Sequence, residues 1–174
     1  MLRDTAKLLA LAVGLTMSGQ AFAQASDSEE TVASVTLADP IALTETTALR
    51  FGSVLKGSTG TNTVTIDAVS GARSIGGGGN AALVSGAAVG RAAYSVTGED
   101  DATFSITLSN NPTALTNGGT GSLGLALARS ENDGVLTGGS AVFGVGGVLT
   151  VDNADADDVA GLYSANFEVT VAYN

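Results

Sequence analysis

The chain has 174 residues, 24 of them Gly and none of them Cys, His or Trp. Charged residues make up 14% of it, against roughly 25% in an average soluble domain, and acids outnumber bases 17 to 7 for a formal charge of −10. These counts exclude disulfides, Cys- or His-ligated metal centres, a thiolate nucleophile and an imidazole base, and an acidic chain without a basic cluster is no surface for nucleic acid.

Residues 1–23 are expected to be a signal peptide. Arg3 and Lys7 give a basic start, Leu8 to Met17 is an apolar run too short to span a bilayer, and Ala21-Phe22-Ala23 is a small-x-small cleavage pattern. Cleavage after Ala25 is the alternative, since Ala23-Gln24-Ala25 fits the same rule. Removing the segment takes away two bases and one acid and leaves a formal charge of −11. No later segment is long and apolar enough to be read as a membrane span, so the expected location is the periplasm, the cell surface or the medium.

Residues 24–34 form a polar extension, with Ser26 to Glu30 (SDSEE) at its centre. The domain is expected over residues 35–174. At its start Ala33, Val35, Leu37, Ile41 and Leu43 alternate on one face, interrupted by Asp39-Pro40. Residues 31–38 are therefore either the first strand of their own sandwich or a strand donated to a neighbour, with Ala33, Val35 and Leu37 as the donor side chains.

From there onward a period of two recurs and no segment shows a period of 3.6. Thr63 to Ala68 places Val64 and Ile66 between threonines; Ala102 to Ser109 puts Phe104, Ile106 and Leu108 on one face; Ser122 to Ala128 does so with Leu123, Leu125 and Leu127. Leu162 to Tyr173 aligns Tyr163, Ala165, Phe167, Val169, Val171 and Tyr173. Turn signals separate these runs at Lys56–Gly60, Gly76–Asn80, Thr97–Asp101, Asn117–Gly119, Asn132–Gly134 and Thr137–Gly139. Glycines inside Val142 to Val148 suggest bulges or close backbone approach. The pattern predicts an all-β, Ig-like antiparallel sandwich in a single domain.

Candidate chemistry is sparse. Ser53-Val54-Leu55-Lys56 has the S-x-x-K form of serine acyl-enzymes but lacks their other elements and leads into a Gly-Ser turn. Gly76 to Gly79 lacks the context of a phosphate-binding loop. Asp152, Asp155, Asp157 and Asp158 could offer oxygens to calcium, although their spacing is not that of an EF-hand, and a solvated loop tip accounts for them more simply. Glu99 to Asp101 is a smaller group of the same kind. No catalytic residue, cofactor or metal ligand is assigned, and the chain is expected not to be an enzyme.

The last fourteen residues, Gly161 to Asn174, carry the most specific signal. Tyr173 is penultimate, Val171, Val169 and Phe167 alternate upstream of it, and Gly161 stands fourteenth from the end. This strand resembles the C-terminal motif of chaperone–usher pilins, and Gly161, Phe167, Val169, Val171 and Tyr173 are its candidate assembly residues. The resemblance implies a fimbria-like structural subunit completed by a neighbour's strand, with self-association or related subunits, a periplasmic chaperone and an outer-membrane usher as partners. Two features depart from such pilins: no Cys is present for an intradomain disulfide, and the N-terminal extension is short. Across residues 35–174 the chain also resembles the bacterial secreted family known as domain of unknown function 4402. That resemblance rests on Leu49-Arg50-Phe51-Gly52, Thr63 to Ile66, Tyr94 to Gly98, Phe104 to Leu108, Val145 to Leu149 and Phe167 to Asn174. It implies an Ig-like fold with suspected fimbrial relatives and brings no activity. A monomeric periplasmic or surface binding module, calcium-dependent through residues 152–158, is the alternative.

Overall fold

A computed structural model of the chain describes residues 26–174, so the expected signal peptide lies outside the described residues. The chain divides into two units at Thr36/Leu37. The described part of the first, residues 26–36, contains no strand or helix. The second, Leu37–Asn174, is an antiparallel β-sandwich of twelve strands.

Its spine is β11 (Ser140–Asp152), thirteen residues long. One side of β11 pairs with β6 (Ala92–Thr97) along Ser140 to Val145 and with β3 (Thr61–Ile66) along Gly147 to Asp152. Its other side pairs with β9 (Ser122–Arg129). β1 (Ala42–Thr47), β4 (Arg73–Gly77) and β8 (Ala114–Thr116) extend this seven-stranded sheet from β6, β3 and β9 respectively. A second sheet has the order β10 (Asp133–Val135), β7 (Thr103–Ser109), β12 (Glu168–Tyr173). A two-stranded ribbon joins β2 (Ser53–Leu55) to β5 (Ala82–Val84).

Alternation in β3, β6 and β7 translates directly into burial: Val64, Ile66, Val96, Phe104 and Ile106 are buried while the residues between them reach outward. The core has two parts. The first joins β6 and β11 to the second sheet through Tyr94, Val96, Phe104, Ile106, Leu136, Phe143 and Val145, with the Tyr94 and Phe143 rings stacked at 5.2 Å. The second is built from Phe51, Val64, Ile66, Leu125, Leu149 and Val151. No strand of the three-stranded sheet covers it; Val54 of β2 and Leu83 of β5 lie against it instead.

The glycines of β11 mark close backbone approach, as their pattern suggested. A Cβ on Gly146 would run into the Ile66 carbonyl and the Ala68 backbone. Elsewhere the structure departs from the sequence pattern. Asn132-Asp133-Gly134 is no hairpin turn: Asp133 and Gly134 belong to β10, and the Phe104 ring packs where a Cβ on Gly134 would stand, 2.5 Å from Cζ. The first strand of the sandwich is β1, whereas residues 31–38 form no strand. The final strand begins at Glu168 rather than Leu162, because β7 offers it no ladder before the Ser109–Glu168 pair. Beyond Ser109 the chain turns at Asn110, with φ 46°, and runs on to Pro112. Upstream of β12 a single bridge, Thr116–Ser164, replaces the expected pairing.

Candidate functional site

Three of the predicted assembly residues lie on β12, an edge strand whose neighbour is β7. Val169, Val171 and Tyr173 face the first core with Phe167 just ahead of them, all four half-buried, while Glu168, Thr170 and Ala172 are exposed. The second edge of β12 carries no strand among the described residues. Gly161 stands apart, seven residues upstream of β12. It is exposed, and nothing lies within 4 Å of a Cβ placed on it, so no steric demand for glycine acts there.

Tyr173 does more than fill the core. Its hydroxyl donates to the carbonyl of Asp39 at 2.7 Å and accepts from the backbone N–H of Glu99 at 2.8 Å. The N–H of Asp39 in turn donates to Oε2 of Glu99 at 2.9 Å. The three residues form a closed clasp that fixes the backbone at Asp39-Pro40 to the end of β12 and to the β6–β7 turn. Ahead of the clasp, Leu37 is 89% exposed. In the other unit Val32 and Val35 are 86% and 84% exposed, and Ala33 is exposed as well.

Upstream of β12 the half-covered second core opens into an apolar groove of about 880 Å³. Phe51, Leu125 and Leu149 form its buried floor, Leu115 and Leu123 flank them, and residues 158–165 with Phe167 make the opposite wall. Phe51 is the buried member of Leu49-Arg50-Phe51-Gly52, and Arg73 Nη1 donates to its carbonyl at 3.0 Å. Leu162, on the lip, is 86% exposed. Among the described residues the backbone N–H groups of Leu162, Tyr163, Ala165 and Phe167 find no backbone acceptor.

The acidic segment that ends in this wall is organised from within. Lys56 Nζ donates to the carbonyls of Asp155 and Asp158, the latter at 2.8 Å. Asp158 is buried, and its carboxylate accepts the Ser122 N–H at 2.9 Å. Asn153, also buried, donates to Asn62 Oδ1 at 2.8 Å. Tyr163 donates to the Val159 carbonyl at 2.9 Å; burial, and then the Asp158 charge, raise its phenol above the ordinary range. The ammonium of Lys56 therefore engages two of the loop's carbonyls, oxygens of the kind that calcium also takes. Among the described residues no three acidic side chains converge as a metal site. Ser53 of the S-x-x-K segment lies on β2 rather than at a helix start.

Sequence reasoning missed the groove, Asp39 and Glu99 as partners of Tyr173, and the role of Lys56. A signal for the last was present, because the one lysine among the described residues of an acidic chain invites a search for the carbonyls or carboxylates it serves.

A family model described as Domain of unknown function (DUF4402) matches residues 41–173. No curated protein matches the chain. No solved structure matches it.

Proposed function

The chain belongs to the family Domain of unknown function (DUF4402), whose model spans β1 to β12, and we propose that it is an exported, non-enzymatic structural subunit of a fimbria-like surface fibre or adhesive layer. Subunits join by strand complementation, residues 31–38 of one copy completing the sandwich of the next. Related subunits, a periplasmic chaperone and an outer-membrane usher are the partners this reading implies.

The observation that carries it is the pairing of an unsatisfied segment with an unsatisfied domain. Val32, Val35 and Leu37 are almost fully exposed on residues that form no strand, and the sandwich ends in an edge strand beside an uncovered apolar groove. Val35 and Leu37 share one face of an extended strand with the smaller Ala33, and burying these two contributes about 1.5–3 kcal/mol each, or roughly 3–6 kcal/mol gross. That reaches the lower end of a domain's whole stability, about 5–15 kcal/mol, which supports strand donation as a force for polymerisation.

The test is assembly itself. Purified residues 24–174 should form polymers detectable by light scattering and electron microscopy after refolding, and deletion of residues 26–38 should leave a folded monomer. A full-length chain that stays monomeric at high concentration, with the deletion altering nothing but stability, ends this reading.

A further inference from the structure

We infer that Asn117 is a site of spontaneous covalent modification: its side-chain amide is displaced by the backbone nitrogen of Gly118, and the carboxylate left behind unties the β8–β9 turn from the segment that walls the groove. The chemistry is independent of assembly, takes place within one chain and needs only water as co-reactant.

The turn presents the reacting groups in the arrangement the step needs. Asn117 Oδ1 accepts the N–H of Gly119 at 2.9 Å. When a nucleophile adds to Cγ, negative charge collects on that oxygen, so the Gly119 donor already stands where charge develops. The nucleophile is the Gly118 nitrogen, whose N–H finds no backbone acceptor among the described residues. Gly118 is exposed at φ 78°, and nothing lies within 4 Å of a Cβ placed on it, so hydroxide has free access to the amide proton. Hydroxide removes that proton and the Gly118 nitrogen bonds to Asn117 Cγ. The Cγ–Nδ2 bond then breaks, and Nδ2 leaves as ammonia with a proton from water. A second water opens the cyclic imide at either carbonyl and leaves aspartate or isoaspartate.

Other candidate positions lack these conditions. Asn80 spends Oδ1 on the N–H groups of Ser58 and Thr59, and the N–H of the following Ala81 is bound to Asn62 Oδ1. Asn153 is buried with both ends of its amide bound. Asn111 precedes Pro112, which has no N–H. Asp133-Gly134 could cyclise in the same way with loss of water, but it is held in β10 with the Phe104 ring against Gly134.

The amide that is lost is a tie. Asn117 Nδ2 donates to the Tyr163 hydroxyl at 3.4 Å, and that hydroxyl donates to the Val159 carbonyl at 2.9 Å. Both side chains meet the Asp157 carbonyl at buried Gly121, where a Cβ would collide with all three groups. A carboxylate in place of the amide cannot donate, and it adds negative charge beside a phenol already in the field of Asp158 and Asp155. Isoaspartate also inserts a methylene into the main chain next to the Thr116–Ser164 bridge.

Two measurements test this. Purified residues 24–174 and the free peptide 114–121 are incubated at mildly alkaline pH, and deamidation is followed by peptide mass spectrometry and isoaspartyl methyltransferase labelling. The expected result is modification at Asn117 ahead of every other asparagine, at a rate within about tenfold of the peptide's. A folded-state rate more than about tenfold below the peptide's, or first modification at another asparagine, overturns the site. Asn117→Asp, which carries the product's charge, should accelerate amide exchange across residues 157–163 and leave β6 unchanged. Added to Tyr163→Phe it should change nothing further, because both act through one contact. Unchanged exchange in Asn117→Asp, or full additivity in the double variant, overturns the untying, while the modification itself stands or falls on the first measurement.

Discussion

The hydroxyl of Tyr173 sits 2.7 Å from the carbonyl of Asp39, so the penultimate residue of the chain holds the root of its N-terminal segment. The contact spans 134 positions of sequence and closes through Glu99, whose N–H reaches Tyr173 and whose carboxylate takes the N–H of Asp39. A terminal tyrosine that looks like a packing residue is therefore also an anchor. It separates a backbone that is fixed, from Asp39 onward, from exposed apolar positions beginning at Leu37.

Tyr173→Phe tests the anchor without emptying the core. The ring stays, but the Asp39 carbonyl and the Glu99 N–H each lose a partner. A net hydrogen bond is worth about 0.5–1.5 kcal/mol, so the loss should be about 1–2 kcal/mol in urea unfolding. Limited proteolysis should show faster cutting near residues 37–41. Unchanged cleavage there would mean that Tyr173 acts through its ring alone.

Two glycines should respond in opposite ways to alanine. Gly161 belongs to the terminal motif but meets nothing, so Gly161→Ala should leave the unfolding midpoint within experimental error. Gly134 carries no motif, yet the Phe104 ring occupies its Cβ position. Forcing the ring aside is overpacking, and Gly134→Ala should cost about 1–3 kcal/mol. Thermal unfolding of the two variants side by side decides the matter.

That contrast also marks how far the sequence was legible. Strands with strict alternation and β-branched partners, β3, β7 and β9, stand within a residue or two of where their pattern placed them. Asn132-Asp133-Gly134 misled because turn chemistry and a glycine needed for close packing look alike, and only the position of Phe104 separates them. Tyr163 and Ala165 continue the alternation of β12, but a strand exists only where it finds a partner, and β7 stops pairing at Ser109. Asn110-Asn111-Pro112 was the available cue. The groove was illegible for a deeper reason: leucines of β8, β9 and β11 look like ordinary core, and nothing local reveals that the facing sheet does not extend over them.

Lys56 should brace the acidic loop through two of its backbone carbonyls. Lys56→Met keeps the aliphatic stem and removes the ammonium, leaving the carbonyls of Asp155 and Asp158 without their donor. Hydrogen bonds to a charged group contribute about 1.5–3 kcal/mol each when sheltered, and this half-buried pair should yield less than that sum. Amide exchange should accelerate across residues 153–160 and leave β6 and β7 unaffected. Uniform exchange in both regions would show that the loop is held by Asn153 and Asp158 instead.

Acid sensitivity should trace in part to Asp67. Its carboxylate accepts the N–H and hydroxyl of Ser70, at 2.6 and 2.7 Å, and the N–H of Val69. These bonds, led by the Ser70 N–H, hold it below the ordinary value of 3.8 in the folded state. The unfolded chain thus takes up the proton first as pH falls. The stabilising contribution is fully present above the unfolded value and is lost as pH drops through the lower, folded one. Asp67→Asn keeps an accepting oxygen and removes the titration. The stability gap between the two proteins should therefore be constant near neutrality and should narrow below pH 3.8. Because the carboxylate is fully exposed, the gap should be small and should shrink further in high salt. Urea midpoints measured across the acid range in low and high salt check both trends, and a gap that widens on acidification would reverse the assigned sign.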